Sequence, residues 1–186
     1  MFKNNYGFGI FILIIIFSMV SVNISNAQQN QKKKVRVSPK AGVLQTVGFT
    51  EVNISYSRPG VKGRTIWGKL VPYNVVWRAG ADEATKFTFS TDVKINGKTL
   101  KAGSYSFFAI PTEDEWTLIF NKVADQWGAF EYNIAEDAMR FMVKPKKNDF
   151  QEWLAYTFSD MTTNSATINL NWEKLSVPFK IEVDVE

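Results

Sequence analysis

The chain predicts an all-β fold: a single antiparallel β-sandwich, Ig-like or jelly-roll-like in its connections, with at most one short helix. Three observations carry this. Apolar and polar residues alternate with period two through most of the sequence. Turn signals recur about every 8–12 residues, the spacing of short sandwich strands. Helical periodicity is nearly absent.

The elements follow in order. Val52, Ile54 and Tyr56 alternate with polar residues in EVNISYS, and Phe87 and Phe89 do so in TKFTFS. VKI and KTL flank Asn96-Gly97, the dipeptide of a type I′ hairpin, because both central residues need positive φ. Ala102-Gly103 turns the chain into SYSFFAIP, and the polar run 112–115 turns it again into WTLIFNK. MRFMVK, EWLAYTFS, SATINLNW and VPFKIEVDV complete the strands. The last predicts Val177, Phe179, Ile181, Val183 and Val185 on one sheet face. Residues 131–139 hold the best helical candidate, one turn or a short helix.

Composition narrows the chemistry. Among 186 residues there is no Cys and no His. Disulfides, thiolate nucleophiles, Cys-type zinc sites, Ser-His-Asp triads and imidazole metal sites are excluded. Carboxylates, Lys, Arg, Tyr and hydroxyls remain. Residues 1–27 are expected to be a secretory signal peptide, with Lys3, an apolar run over 10–20 broken only by Ser18, and Ser25-Asn26-Ala27 as a small-x-small cleavage site. The run is shorter than the roughly 20 residues of a spanning helix, so no stable membrane span is expected after cleavage. Without a following Cys there is no lipobox anchor. The expected location is therefore exported, periplasmic or extracellular.

Residues 28–37 read as a basic flexible linker, and 38–186 as the sandwich domain. The formal charge of +4 belongs to the leader and the linker. All 18 acidic residues and 17 of the 22 basic ones lie from Ser38 onward, a net of −1. A domain without a broad basic face is not expected to bind nucleic acid.

Residues 57–85 break the strand rhythm with four glycines, two prolines and no clear alternation. Long irregular connections in compact domains are uncommon and often functional. Three of the five arginines, Arg58, Arg64 and Arg78, lie here, whereas the chain has seventeen lysines. A planar guanidinium grips carboxylate or phosphate with two parallel hydrogen bonds and stacks on aromatic faces.

The motifs Ser57-Arg58-Pro59, Lys62-Gly63-Arg64, Val71-Pro72-Tyr73, Val76-Trp77-Arg78-x-Gly80 and Ala84-Thr85 resemble those of the family catalogued as domain of unknown function 2911. Lys101-Ala102-Gly103-x-Tyr105, Ile110-Pro111, Glu115-Trp116, Asn121-Lys122 and Trp127-Gly128 extend the resemblance over nearly the whole chain from Ser38. It implies a secreted protein of Bacteroidetes-type bacteria and brings no assigned activity.

The leading expectation is non-catalytic binding of an anionic small molecule or glycan. Arg58, Arg64 and Arg78 would supply the forks, Trp67, Tyr73 and Trp77 a flat wall, with Asp82, Asn121, Trp127 and Tyr132 assisting. The competing role for the arginines is structural, as staples to Asp82, Glu83 or backbone carbonyls. A protein-partner module of the cell envelope is the alternative, because sandwiches expose edge strands. A carboxylate-dependent hydrolase ranks third: its candidates are Asp82, Glu83, Glu131 and Asp137, and the adjacent Asp82-Glu83 would point to opposite sides in a strand and make a poor catalytic pair by themselves. No catalytic residue, metal or cofactor is assigned; Asp82-Glu83 and Asp160 are only weak oxygen ligands for calcium.

Overall fold

The computed structural model describes Met1 and residues 34–185. The predicted signal peptide and most of the predicted linker lie outside the described residues. From Val35 onward the chain is one unit of two antiparallel sheets.

Six strands form the first sheet: β1 (Lys40–Val47), β2 (Thr50–Ser57), β3 (Thr85–Phe89), β6 (Gly103–Ile110), β7 (Trp116–Asn121) and β8 (Asp137–Val143), in that spatial order. It is a meander interrupted once, by the excursion of β4 (Val93–Ile95) and β5 (Lys98–Leu100) into the second sheet. That sheet runs β5-β4-β10-β9, with β9 at Lys146–Ser159 and β10 at Ser165–Val183. The β4–β5 turn has φ of 51° at Asn96 and 75° at Gly97, the type I′ geometry the dipeptide predicts. The helical candidate is a single 3-10 turn at Ile134–Glu136, capped by the Asn133 side chain.

The inner faces carry the core. Ile54, Phe87, Phe107 and Phe120 from the first sheet meet Leu154, Ile168, Phe179 and Ile181 from the second, all buried. Phe179 packs 5.7 Å from Phe107 and 6.1 Å from Phe87, so the two sheets interlock through aromatic rings. Val177, Phe179, Ile181 and Val183 share the buried face as predicted, but Val185 lies beyond the strand and is exposed. SATINLNW and VPFKIEVDV form one continuous strand instead of two. Register shifts on either side of Glu173, whose φ is 57°, absorb the irregularity, and Pro178 does not end the strand.

Those shifts place the irregular segment. On β10, Asn171 and Glu173 are two residues apart, while their partners Ala155 and Gln151 on β9 are four apart. Residues 152–154 are thereby released from β10, and their backbone turns to residues 59–61. Val61 N donates to Glu152 O at 2.8 Å, and Leu154 N donates to Pro59 O at 3.0 Å. The first turn of the irregular segment is held by this bulge.

Candidate functional site

After β2 the chain makes a tight turn at Lys62-Gly63, with φ of 48° and 67°, closed by Arg64 N donating to Val61 O. It then folds over the end of the sandwich and is fastened to β6. Trp77 N donates to Ala109 O and Ala109 N to Trp77 O, both at 2.8 Å. Of the seven non-glycine residues with positive φ among the described residues, four, Lys62, Asn74, Ala79 and Asp82, fall in this segment. Asn and Asp tolerate the left-handed region, but Ala79 pays about 1–2 kcal/mol for it. What holds Ala79 there is its carbonyl, which accepts from the buried Tyr156 hydroxyl and from Thr85 Oγ1, each at 2.9 Å. Gly80 leaves no room for a side chain: a Cβ there would sit 2.9 Å from Thr85 Oγ1.

Under the segment four indoles cluster. Trp67 meets Trp77, Trp116 and Trp172 edge to face at 5.9, 4.8 and 5.7 Å, and Trp77 stacks on Trp172 at 5.9 Å. Above Trp77 and Trp172 lies a cleft of about 310 Å³. Among the described residues three cations line it, Lys62, Arg64 and Arg78, with a single carboxylate, Asp82. Val37 and Ser38 close one side.

The three arginines divide. Arg58 turns away from the cleft: its Nε donates to Leu154 O at 2.7 Å and its Nη2 reaches Trp153 O at 3.4 Å. Arg64 lines the cleft but spends its Nε and Nη2 on Val61 O and Gly60 O, at 3.1 and 2.6 Å. Arg78 is different. Its Nε is buried without a partner, and its guanidinium makes no hydrogen bond or ion pair among the described residues. Burial pushes its pKa below the usual value, and the Asp82 charge opposes that; the group stays protonated.

The other predicted residues scatter. Tyr73 packs its ring over Gly68, whose φ of 75° and missing Cβ make the approach feasible. Trp67 is interior to the indole cluster, and its buried Nε1 lacks a partner among the described residues. Trp127 is exposed beside a backbone bridge to Glu83. Asn121 and Tyr132 belong to a separate network around Asp137. Asn121 Nδ2 donates to Asp137 Oδ1 at 2.9 Å, and the Tyr132 hydroxyl donates to Asp137 Oδ2 at 2.7 Å. Arg140 Nε lies 3.0 Å from that same Oδ2. Burial first, and the Asp137 hydrogen bond second, push the Tyr132 phenol up to about 12. This network fixes the loop before β8. The cleft thus gathers Arg64, Trp77, Arg78 and Asp82 from the predicted set and adds Lys62, Trp172, Val37 and Ser38.

Arg36, which the sequence places in the linker, reaches this region. Its Nη2 donates to Glu83 Oε1 at 2.8 Å, and its Nε lies 3.8 Å from Asp82 Oδ2. Lys40 Nζ lies 3.0 Å from the same Glu83 oxygen. The Arg36 hydrogen bond, reinforced by Lys40, holds the Glu83 carboxyl down from 4.5 to about 2 against a smaller opposing effect of burial. A depressed carboxylate stabilises the fold fully above its unfolded pKa, and the gain is lost as pH falls through the folded value. The urea midpoint should therefore fall between pH 4.5 and 2, and Glu83→Gln should flatten that part of the profile. The side chain is 37% exposed, so solvent screening keeps the change small. A profile that Glu83→Gln leaves unaltered would remove the pair's contribution.

The fold and the cleft define a class: a β-sandwich domain whose long second connection carries an arginine-lined cleft over an indole floor. The sequence profile of the proteins of unknown function DUF2911 matches residues 38–181, and the chain belongs to that family. No curated protein and no solved structure matches the chain.

Proposed function

We propose that the domain is a non-catalytic binding module that holds an anionic small molecule or the acidic end of a glycan in this cleft. The observation that carries the reading is Arg78, a half-buried guanidinium in a concave site, whose buried Nε has no partner among the described residues. A half-buried guanidinium has lost part of its water, and a ligand carboxylate, sulfate or phosphate would supply acceptors for it. Trp77 and Trp172 offer the apolar face that pockets of this kind pair with a few polar groups. The volume, at the small end of ligand pockets, suits a small molecule or a terminal sugar. Export to the periplasm or beyond rests on the leader pattern of residues 1–27 and would put the cleft in contact with such ligands.

Because indoles line the cleft, intrinsic fluorescence should report occupancy. Titration with sulfate and with glucuronate should give saturable changes that glucose does not. Arg78→Ala should abolish them while shifting stability by no more than about 0.5 kcal/mol, since the guanidinium makes no hydrogen bond or ion pair among the described residues. No saturable response to either anion, or a response that survives Arg78→Ala, would overturn the reading.

A second reading, a protein-partner module of the envelope, is favoured by one feature. β8 is an edge strand of the first sheet with Met142 exposed, and Phe130 and Ile134 are exposed in the loop before it. Partner capture at that edge would be indifferent to Arg78→Ala, which separates the two.

The hydrolase reading finds little support. Among the described residues Asp82 is the one carboxylate lining the cleft, Glu83 is committed to Arg36 and Lys40, and Asp137 sits in its own network.

A further inference from the structure

We propose that Arg36 is a positioning residue that keeps Arg78 open to an anion by holding the Asp82 and Glu83 carboxylates on its own side. The inference rests on the reading of the cleft as an anion site and names what keeps that site receptive.

The cleft holds its own competitor. Asp82 lines it beside Arg78, and the two charges feel each other. An ion pair between them would neutralise the site from within, yet none forms. The backbone around Asp82 is fixed: φ is 56°, Gly128 N donates to its carbonyl at 3.0 Å, and Ala81 N donates to Ser57 O at 3.2 Å. Only the Asp82 side chain is free to choose a partner. Arg36 biases that choice, with Nε 3.8 Å from Asp82 Oδ2.

Arg36 is itself anchored through Nη2 to Glu83 Oε1 at 2.8 Å. Glu83 is in turn steadied by Lys40 at 3.0 Å and by Ser57 Oγ, which donates to Oε2 at 3.4 Å. One guanidinium thus addresses two adjacent carboxylates, which a lysine point charge would do poorly. Val37 and Ser38, the next residues, form part of the cleft wall. The segment that carries Arg36 is therefore continuous with the site, although Arg36 precedes the family-matched region. Without Arg36, Asp82 would be left with Arg78 as its guanidinium, in a partly dry cleft where opposite charges attract more strongly than in water.

The test compares wild type, Arg36→Lys, Arg36→Ala and Arg36→Ala/Asp82→Asn, with asparagine chosen because it tolerates the left-handed backbone at position 82. Two quantities are read: sulfate affinity by indole fluorescence, and the Nε–Hε NMR resonance of Arg78, assigned by its loss in Arg78→Lys. In Arg36→Ala the resonance should shift as an ion pair forms. Sulfate affinity should fall roughly tenfold, the scale of one competing charge-assisted pair. Arg36→Lys should fall between. The double variant should return the resonance and recover most of the affinity, which a general loss of fold would not allow.

An Arg78 resonance unmoved in Arg36→Ala overturns the inference whatever sulfate does, as does a double variant that fails to return it. If wild type binds neither sulfate nor glucuronate while the resonance moves and returns as stated, the ligand reading fails and the positioning role of Arg36 stands.

Discussion

Trp77→Ala is expected to lower stability by about 3–5 kcal/mol, the cost of truncating a large aromatic in a packed core. In a domain of this size that moves the thermal midpoint down by roughly 10 °C. The ring is 8% exposed, stacks on Trp172 and meets Trp67 and Trp116 edge to face. Its Nε1 also donates to Gly80 O at 3.1 Å, within the tight stretch that presents Arg78 and Asp82. The substitution therefore leaves a cavity under the cleft and an unpaired carbonyl in its wall. Trp77→Phe keeps much of the apolar volume but not the donor, and should cost about 1–3 kcal/mol. Calorimetric unfolding of the two variants reads both effects. A loss below about 1 kcal/mol for Trp77→Ala would mean that the segment is held elsewhere.

Arg58→Ala should cost about 2–3 kcal/mol, in contrast to the near-neutral Arg78→Ala. Both are arginines of the same irregular segment, and their environments are opposite. Arg58 Nε donates to Leu154 O at 2.7 Å, in the stretch of β9 that the bulge releases from β10. Removing it takes a charged donor from a carbonyl that has left its ladder and loosens the start of the connection. Arg58→Lys should recover little, because an ammonium cannot reproduce the fork across Leu154 O and Trp153 O. Urea unfolding of Arg58→Ala beside Arg78→Ala decides the matter: equal losses would erase the distinction between staple and open guanidinium.

Legibility in the sequence followed how local the physics is. The Asn96-Gly97 hairpin and the alternating strands β2 and β3 were readable because turn geometry and pleat act between near neighbours. β1 was not. Its residues KAGVLQTV lack alternation, and it qualifies as a strand by pairing with β2 at the sheet edge. The continuity of β10 through Pro178 was hidden for a similar reason, since it depends on the partners of β10: Pro178 lies between the stretch paired with β9, which ends at Ser176, and the residues paired with β4, Glu182 and Val183.

In the candidate site, the segment was legible from its glycines, prolines and arginines, and the assignment of each arginine was not. Whether a guanidinium meets a carbonyl depends on residues nearly a hundred positions away, as with Arg58 and Leu154. Arg36 sat in a run of lysines and read as linker charge, because nothing local marks a side chain that reaches Glu83, 47 residues on. Asn121 and Tyr132 carried a motif signal that the structure spends on fixing a loop around Asp137.

The placement of β4 and β10 imposes an order of events on folding. Most neighbours in the first sheet are close along the chain, so its meander can assemble from short-range closures. β4, by contrast, pairs Val93 with Val183 and Lys94 with Glu182, partners about 90 residues apart. The second sheet waits for the last strand made. Until then Phe87, Phe107 and Phe120 lack the Phe179 ring that packs against all three. Long-range closures of this kind slow folding, and a bare aromatic sheet is the species most prone to associate with its own kind. For this domain the hazard lies in the interval between synthesis of the meander and arrival of the final strand, and the speed with which β10 docks sets how much chain survives it.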